Sequence, residues 1–483
     1  MTVSSNGMGR HLMLYCGAAL MLFGCASYHP KPIVPGETAS RIESRTLEDG
    51  GLRDFINTNK VQAVKAWPLK KWGLEDLTFA AFYYHPSLGV ARTDWIAAKA
   101  AIITAGGKPN PTLTFGPGYN FSAMDATPWL PFGNLDWPIE TAGKRGHRIK
   151  QAEHISESAL FNLVKAGWQV RSHLRSALVD LTSATQREVL LDRQISLQQR
   201  AIELLEQQRL AGAISAAEVI PARLSLQKVR LDRSDARRQR VEAQARLAED
   251  IGVTVGALEG VELEFDLGLP VAQGKNLLSA EARRRALLSR ADVLEGLADY
   301  AASEAALQLE VAKQYPDVRI NPGYQLDDGQ HKWTFGASIE LPILNQNQGP
   351  IAEGRARREA SASKFEQVQS NAIAEVDRAA AILRVTETNL SEAEGLVAIQ
   401  RKQAQSIEQQ YQAGGVDRVS LITAQVELAA SEAALLDGRT KAQQAIGALE
   451  DAIQQPLDGS QPMTISMLTR NDNSAMRERK ANK

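Results

Sequence analysis

The feature that most constrains the fold of this chain of 483 residues is an internal duplication. Three segments of the first half recur in the same order in the second half, at offsets of 202 to 205 residues. The matched pairs are LTFGPGYNF (113–121) with VRINPGYQL (318–326), LDWPI (135–139) with IELPI (339–343), and QQRLAGAISAAEVIPARLSLQ (207–227) with QQYQAGGVDRVSLITAQVELA (409–429). This pattern predicts two copies of one supersecondary unit, over 74–256 and 279–457, joined by an inter-repeat segment, 257–278.

Each repeat is predicted to consist of a helix, two strands, a very long helix, a turn and a return helix. The long helices are predicted over 147–211 and 351–413, where proline is absent and apolar residues recur at three- and four-residue steps. At 1.5 Å per residue, a helix of about 60 residues is on the order of 90 Å long, which favours coiled-coil packing. Return helices are predicted over 216–250 and 418–454, and an alanine-rich helix over 75–105.

Four segments alternate apolar and polar residues and predict β-strands over 112–121, 129–139, 318–327 and 333–343. Strands of about 10 residues are long enough to cross a bilayer when tilted. The polar face carries charged side chains that a dry core would not accept unpaired: Asp136, Arg319, Asp327 and Glu340. The apolar face carries aromatic side chains that we expect to face lipid: Phe115, Tyr119, Trp137, Tyr324, Trp333 and Phe335.

Four strands per chain do not close a barrel. An open sheet edge in lipid leaves backbone N–H and C=O groups without partners, at a cost of several kcal/mol each. Other copies of the chain are therefore expected to complete the sheet. Eight strands give an interior filled by side chains, whereas three copies give twelve strands and leave room for an aqueous channel. Beyond the N-terminal segment the sequence has no uninterrupted apolar run of 18 residues, which predicts that strands rather than helices cross the membrane.

The N-terminus has the layout of a secretory signal peptide, with an apolar run over 12–23. The run ends in Leu-Phe-Gly-Cys, which resembles a bacterial lipobox, where the cysteine receives lipid (diacylglycerol and palmitate) and begins the mature protein. Residues 1–24 are thus predicted to be a lipoprotein signal peptide and Cys25 the lipidated residue, followed by a linker and periplasmic segment, 25–73. By the same resemblance, Ala26 favours sorting to the outer membrane.

Composition argues against several other functions. The 55 basic and 56 acidic residues leave a net charge of −1, without the basic excess that nucleic-acid binding requires. The second cysteine, Cys16, lies in the signal peptide, so we expect no disulfide and no thiolate metal site. No histidine spacing, nucleophile motif or phosphate loop indicates catalysis, and we expect no enzyme, no metal and no cofactor besides the lipid. The polar tail, 458–483, is predicted to be disordered.

A family resemblance rests on HPSLGVARTDWIAAKAAIITAGGKPNPTLTFGPGYN, DWPIETAGKRGHRI, ASIELPILNQNQGPIAEGRARREA and the turns RLAGAIS and YQAGGVD. Over 74–457 the chain resembles the outer membrane factor (TolC-like) family of efflux and secretion channels, and its lipoprotein members most. The resemblance implies a homotrimer in which twelve strands form an outer-membrane β-barrel and mainly coiled-coil helices form a periplasmic tunnel. It also implies a Gram-negative outer membrane, a periplasmic adaptor protein, and an inner-membrane transporter of the proton-driven RND type.

The resemblance places the closed tip of the tunnel at the turns between each long helix and its return helix. The implied adaptor-docking residues are Leu210, Ala211, Gly212, Ile214, Ser215, Ala413, Gly414, Gly415, Val416 and Asp417. Acidic residues often narrow the gate at this tip in the family, and Glu218 and Asp417 are the candidates here. In the second repeat Ser420 and Thr423 stand in the region that matches Glu218, which departs from the family pattern.

The leading hypothesis is a passive exit duct of a tripartite efflux pump, which passes organic compounds or metal cations. An outer-membrane component of a protein-secretion system is the alternative within the family. A periplasmic coiled-coil scaffold lipoprotein without a pore is a hypothesis from another class, and the alternating strands argue against it.

Overall fold

The computed structural model describes residues 28–60, 66–119, 121, 128–268, 284 and 287–469. Residues up to Arg45 and residues from Thr46 form two separate compact units. Within the first unit, helix α1 spans Pro35–Glu43 and buries none of its side chains. The second unit contains both repeats.

The second unit is mainly helical. Its helices are α2 (Gly50–Asn59), α3 (Leu74–Tyr84), α4 (Pro86–Ala105), α5 (Lys144–Leu210), α6 (Ala216–Ile251), α7 (Ala291–Ala312), α8 (Gln348–Gln412), α9 (Arg418–Ile453) and α10 (Ile465–Thr469), with one 3₁₀ turn at Val255–Leu258. Its strands are β1 (Lys71–Trp72), β2 (Thr112–Tyr119), β3 (Trp129–Ile139), β4 (Glu262–Leu263), β5 (Val318–Asp327) and β6 (Gln330–Ile339).

Helices α5 and α8 are the two long helices predicted from the periodicity, with 67 and 65 residues. At 1.5 Å per residue each is about 100 Å long. Helix α5 packs along α6, α8 packs along α9, and α5 also packs against α9. The four long helices of the chain therefore lie side by side in the order α6, α5, α9, α8.

Strands β2, β3, β5 and β6 form one antiparallel sheet in the order β2-β3-β5-β6. The central pair, β3 and β5, joins the two repeats, with Trp137 opposite Ile320. A two-residue turn connects β5 to β6, in which Asp328 and Gly329 have φ values of 50° and 72°. Positive φ at both positions is the geometry that Asp-Gly favours in tight hairpins.

One strand has other bounds than the alternation predicts. Strand β6 spans Gln330–Ile339 rather than 333–343, because the tight turn lets pairing begin at once. It ends before Pro342, which has no N–H to donate to a neighbouring strand.

The main core lies around the middle of α5 and includes parts of the chain predicted to lie outside the repeats. Leu52 and Ile56 of α2 are fully buried, so the predicted linker over 25–73 contains core structure. The tail differs in the same way: residues 458–469 are ordered, and Leu468 is fully buried against α5. The predicted disorder is therefore wrong for 458–469. Apolar side chains of this segment pack on α5 at Gly167, where the absence of a side chain leaves room for them. Residues 470–483 lie outside the described residues.

In the part of the chain that the structure describes, one helix, α9, is long and apolar enough to span a membrane by length and composition. It contains no uninterrupted apolar run of 18 residues, because polar and charged residues are interspersed along it. Its buried side chains pack on both neighbours: Ile422 lies in a cluster with Leu197 of α5, and Leu428 in a cluster with Val397 of α8. This packing accounts for the buried part of α9, which is 33% of its most apolar stretch.

Candidate functional site

The register of the four-stranded sheet divides its side chains cleanly between two faces. Residues directly opposite each other in antiparallel strands point to the same side. Phe115 pairs with Gly133, Gly133 with Tyr324, and Tyr324 with Trp333. The same face holds Trp137, which pairs with Ile320, and Phe335, which pairs with Pro322. All six predicted lipid-facing residues thus share one face; that this face contacts lipid stays a prediction.

Within the described residues, no other part of the chain covers this apolar face. Phe115 is 78% exposed, Phe335 83% and Trp333 68%. Ring contacts hold the aromatic side chains together, with ring centroids 5.0 Å apart between Tyr119 and Trp129 and 5.0 Å apart between Tyr324 and Trp333. A contiguous exposed apolar patch of this kind marks an interaction with a membrane or with another protein surface.

The opposite face is polar and internally hydrogen-bonded. Arg319 Nη1 lies 2.7 Å from Asp136 Oδ2, and Asn321 Nδ2 donates to Asp136 Oδ1 at 3.1 Å. The Ser338 hydroxyl donates to Asn321 Oδ1 at 3.2 Å, so the network crosses three strands. Two apolar side chains of β3, Leu130 and Phe132, also lie on this face, opposite Gly118 and Gly116.

Strands β2 and β6 are the two edges of the sheet, and within the described residues neither has a partner on its outer side. Each edge therefore presents a row of backbone N–H and C=O groups that can pair with another chain.

The two predicted tip turns, at the other end of the long helices, have the same backbone geometry. Gly212 and Gly414 both have φ of +75°. The N–H of Ala213 donates to the Gln208 carbonyl at 2.9 Å, and that of Gly415 donates to the Gln410 carbonyl at 2.8 Å. This is the Schellman ending of a helix, for which glycine in the left-handed region is favoured. The turn residues Leu210–Ser215 and 413–417 lie at these ends, and their adaptor-docking role stays a prediction.

The two candidate gate acids cap the return helices. The Ser215 N–H and hydroxyl each donate to Glu218 Oε1 at 2.9 Å, which forms a capping box and lowers the pKa of Glu218 below its usual value. Asp417 accepts from the Ser420 N–H at 2.8 Å, and hydrogen bonds from Ser420 lower the pKa of Asp417. Both acids therefore have a local structural role, and a gate role stays a prediction.

Where the sheet meets the helices, an ion pair that sequence reasoning missed ties the repeats together. Lys144, nearly buried at the start of α5, places Nζ 2.7 Å from Asp317 Oδ1 just before β5. The Thr141 N–H donates to the same carboxylate oxygen at 2.9 Å. Lys144 and Asp317 are 173 residues apart, a separation at which helical or strand periodicity carries no signal.

A second missed feature is a buried cluster between α5 and α9. Glu450 is fully buried, and its Oε2 lies 3.1 Å from both Arg171 Nη1 and Arg175 Nε. The Leu457 N–H donates to Glu450 Oε1 at 2.6 Å, and Arg171 Nη2 also reaches Asp458 Oδ2 at 3.3 Å. Burial lowers the pKa of Arg175, although a guanidinium stays charged at any physiological pH. The cluster fixes the C-terminal residues of repeat 2 to repeat 1.

No chemistry-bearing metal cluster accompanies these features. Within the described ranges, no group of three or more His, Cys, Asp or Glu side chains is arranged to hold a metal ion. Cys25, the predicted lipidation site, lies outside the described residues.

Two helical hairpins that share one antiparallel sheet with a bare apolar face define the protomer fold of a TolC-like channel. Solved structures support this class. The outer-membrane channel OprN has a TM-score of 0.64 at 18% identity over 90% of this chain and 99% of its own. The outer membrane protein VceC of Vibrio cholerae has a TM-score of 0.64 at 17% identity over 79% of this chain and 95% of its own.

The chain belongs to the outer membrane efflux protein family, whose sequence profile matches residues 81–253 and 282–453. It is therefore a member of a channel family and not an enzyme. One similar relative is the cobalt-zinc-cadmium resistance protein CzcC of Cupriavidus metallidurans, which is 24% identical over 55% of this chain and 62% of its own length. Another is the cation efflux system protein CusC of Escherichia coli K12, which is 26% identical over 50% of this chain and 54% of its own length. Nodulation protein T of Rhizobium leguminosarum is 26% identical over 53% of this chain and 54% of its own length. The aligned part of the chain thus spans between half and two thirds of each of these relatives.

Proposed function

We propose that the chain is the outer-membrane exit duct of a tripartite efflux pump, and that it works as a homotrimer in the Gram-negative outer membrane. The observation that carries the proposal is the four-stranded sheet with one exposed apolar face, one polar face and two open edges. Three copies pair their edges into twelve strands, with the aromatic face toward lipid and the polar face toward a water-filled lumen.

The dimensions of the sheet support this assembly. Strand β3 has 11 residues, and β5 and β6 have 10 each. At about 3.3 Å per residue and a tilt of about 40°, such strands rise roughly 25 Å, the height of the apolar band of an outer-membrane barrel. Helices α5, α6, α8 and α9 then continue the wall as a tunnel about 100 Å long into the periplasm.

The proposal includes the partners and the anchor. A periplasmic adaptor docks at the turns around Gly212 and Gly414 and connects the duct to an inner-membrane transporter of the proton-driven RND type. Lipid on Cys25 holds the N-terminus at the outer membrane. The duct itself supplies no energy, because no nucleotide-binding motif occurs in the sequence.

We propose small molecules as the cargo, and within that class metal cations ahead of organic compounds. The support is that CzcC and CusC are named for cobalt, zinc and cadmium resistance and for cation efflux. Deletion of the gene in its host, followed by growth tests with zinc, cadmium and copper salts and with lipophilic drugs, separates the two classes. Selective hypersensitivity to drugs would reverse the assignment.

Two neighbouring residues with opposite faces provide the test of the assembly. Phe335 and Thr334 are both exposed in β6, the first on the apolar face and the second on the polar face. An arginine facing lipid at mid-bilayer costs about 2–4 kcal/mol, whereas one facing the lumen stays in water.

We therefore expect Phe335→Arg to abolish or strongly reduce trimers in outer-membrane extracts, measured by light scattering in detergent. Thr334→Arg is expected to leave the trimer intact and to change the channel conductance in planar bilayers. Equal tolerance of both substitutions, or a water-soluble monomer of the unsubstituted chain, would refute the lipid-facing assignment and the proposed duct with it.

A further inference from the structure

The two outer helices of the helical layer, α6 and α8, each carry a line of side chains that no other described part of the chain covers. On the basis of the proposed trimeric duct, we infer that these two lines pack against each other between neighbouring copies, with α6 of one copy along α8 of the next. The occupant of each line is thus a second copy of this chain. Trimer formation alone does not require this contact, because strand pairing in the barrel could hold three copies together by itself.

Helix α6 has an inner and an outer line of side chains. On the inner side it packs along α5, where Val229 and Ala236 cluster with Leu191. The outer line lies on the opposite side of the helix, since successive residues are about 100° apart around its axis. It advances in steps of four and three residues, the spacing that keeps one face of a helix toward a coiled-coil partner. Its members are all exposed: Ile220, Leu224, Gln227, Leu231, Ser234, Arg238, Val241 and Ala245.

Helix α8 has the same arrangement. Its inner side packs along α9, where Val397 and Ala404 cluster with Leu428. Its outer line also advances in steps of four and three residues and lies on another side of the helix. The members of this line are all exposed as well: Arg378, Ile382, Val385, Asn389, Glu392, Leu396, Ile399 and Gln403. Leu231 of α6 is 71% exposed and Ile399 of α8 is 65% exposed, so one copy leaves apolar surface uncovered on both helices.

The positions of the two lines in the fold favour a second copy as the occupant. The helices lie in the order α6, α5, α9, α8, and the strands in the order β2, β3, β5, β6. On each side of the protomer, the outer helix and the outer strand belong to the same repeat. A copy that pairs its β2 with β6 of a neighbour therefore brings its α6 beside α8 of that neighbour. A contact between two different surfaces of this kind closes into a ring when copies are related by rotation.

A row of ion pairs across the layer shows that the two lines run at the same level. Arg233 Nε of α6 lies 3.0 Å from Asp192 Oδ1 of α5. The next residue of α5, Arg193, places Nη1 3.2 Å from Glu432 Oε2 of α9. The other oxygen of Glu432 lies 3.5 Å from Arg401 Nη2 of α8. Arg233 and Arg401 are thus level with each other to within about one helical turn.

Distances from the tip match the two lines residue by residue. Leu231 is 15 residues from the first residue of α6, and Ile399 is 13 residues from the last residue of α8, which places them about 22 and 20 Å from the tip. Arg238 and Glu392 lie at about 33 and 30 Å by the same measure. Rotation about the tunnel axis does not change the height of a residue. Leucine therefore meets isoleucine, and arginine meets glutamate, between neighbouring copies.

The polar members of the lines serve the register of the contact more than its strength. Arg238 already has two acidic partners on its own helix, Asp235 and Glu242, each at 2.7 Å. A further exposed carboxylate from Glu392 contributes little energy. Polar residues within such a line nevertheless favour one register over those shifted by a turn, as they do in coiled coils.

Disulfide formation between copies tests the contact, because a disulfide requires Cα atoms about 4.4–6.8 Å apart. Leu231→Cys is combined in turn with Leu396→Cys, Ile399→Cys or Gln403→Cys, which covers about one turn on each side of the expected register. Within one copy, α5 and α9 separate these positions of α6 and α8, so a bond between them joins two copies. The full-length trimer in detergent is oxidised with copper phenanthroline in air, and its products are separated under denaturing conditions without reductant.

We expect covalent dimers and closed covalent trimers, with the highest yield from Leu231→Cys combined with Ile399→Cys. Each single variant is expected to give a several-fold lower yield, because neither position meets its own counterpart. The matched control combines Leu231→Cys with Ala398→Cys, an exposed position one residue along α8 and about 100° around it. Its yield is also expected to be several-fold lower. The chain without added cysteines gives the background from Cys25.

The outcomes separate the inference from the function on which it rests. Trimers in which none of the three pairs exceeds the control overturn the contact and leave the proposed duct intact; the two lines then have another occupant, such as a helical hairpin of the adaptor. A chain that stays monomeric in detergent overturns the proposed duct and the inference together. Covalent trimers from a pair in the outer lines, with background yield in the control, support the contact.

Discussion

The buried cluster around Glu450 predicts a large effect from a conservative substitution. Glu450 is 0% exposed, and its side chain contacts Arg171 and Arg175, whose side chains are 6% and 5% exposed. Glu450→Gln keeps the size of the side chain and an oxygen that can accept from the Leu457 N–H. It removes the carboxylate charge that lies 3.1 Å from both guanidinium groups.

The expected cost follows from the burial. Removal of one partner of a buried ion pair costs about 3–5 kcal/mol. We expect the lower end of this range, because Asp458 Oδ2 lies 3.3 Å from Arg171 Nη2 and still compensates part of the charge. Each 1.4 kcal/mol corresponds to a factor of ten in an equilibrium constant. The equilibrium for local opening should therefore increase roughly 100-fold or more. The effect should be concentrated where α9 and the C-terminal residues meet α5.

Hydrogen exchange of the purified protein in detergent, followed by mass spectrometry of peptides from 450–469, measures this opening. The matched control is Glu353→Gln on α8, where Glu353 and its partner Arg357 are 62% and 75% exposed. An exposed pair of this type contributes about 0.3–0.5 kcal/mol, so exchange near it should barely change. Equal exchange rates in the two variants over 450–469 would contradict the role assigned to the cluster.

Three further substitutions test other parts of the fold. Gly212→Ala should destabilise the tip turn by about 1–2 kcal/mol, since Gly212 has φ of +75°. Gly395→Ala, inside α8, should instead stabilise that helix. Hydrogen-exchange rates of the two helical hairpins show whether each substitution stabilises or destabilises. Gly167→Leu should release the C-terminal segment to limited proteolysis, because even a Cβ there would lie 2.9 Å from Leu468 and cost about 1–3 kcal/mol in overpacking. Burial raises the pKa of Asp250 in the folded chain. At pH values above the ordinary carboxyl pKa of about 3.9, the ionised side chain therefore lowers the free energy of unfolding. Asp250→Asn should raise the unfolding temperature at pH 7 and have no such effect at pH 3, where the carboxyl group is protonated in both states.

The parts of the fold that sequence could predict are those set by local rules. The absence of proline and the three- and four-residue steps predicted α5 and α8 to within about four residues at each end. Alternation placed the six aromatic residues on one face, and the register confirms that they share it. Asp328 and Gly329 form the tight turn between β5 and β6, and the preference of this residue pair for such turns is also local.

The parts that sequence could not predict depend on pairs of residues far apart in the chain. Arg171 and Glu450 are 279 residues apart, and each alone is an ordinary charge on a helix. The same holds for the C-terminal segment, where polar residues surround the two side chains that matter, Met467 and Leu468. Its burial follows from the glycine at position 167, which leaves room for them on α5. No local pattern in 458–469 carries that information.

Glu218 shows how two roles of one residue can be separated. The sequence Ser215-Ala216-Ala217-Glu218 is itself a capping-box pattern, and the structure shows the box formed. Glutamine fills the same place in such a box, so Glu218→Gln should keep the helix end while it removes the negative charge. If Glu218 also narrows the gate, the substitution should reduce the cation preference of open channels in planar bilayers with unchanged hydrogen exchange at the tip. If exchange at 207–220 accelerates and ion preference stays constant, Glu218 is a cap and nothing more, because a lost charge at a gate must change the passage of ions even where the fold is intact.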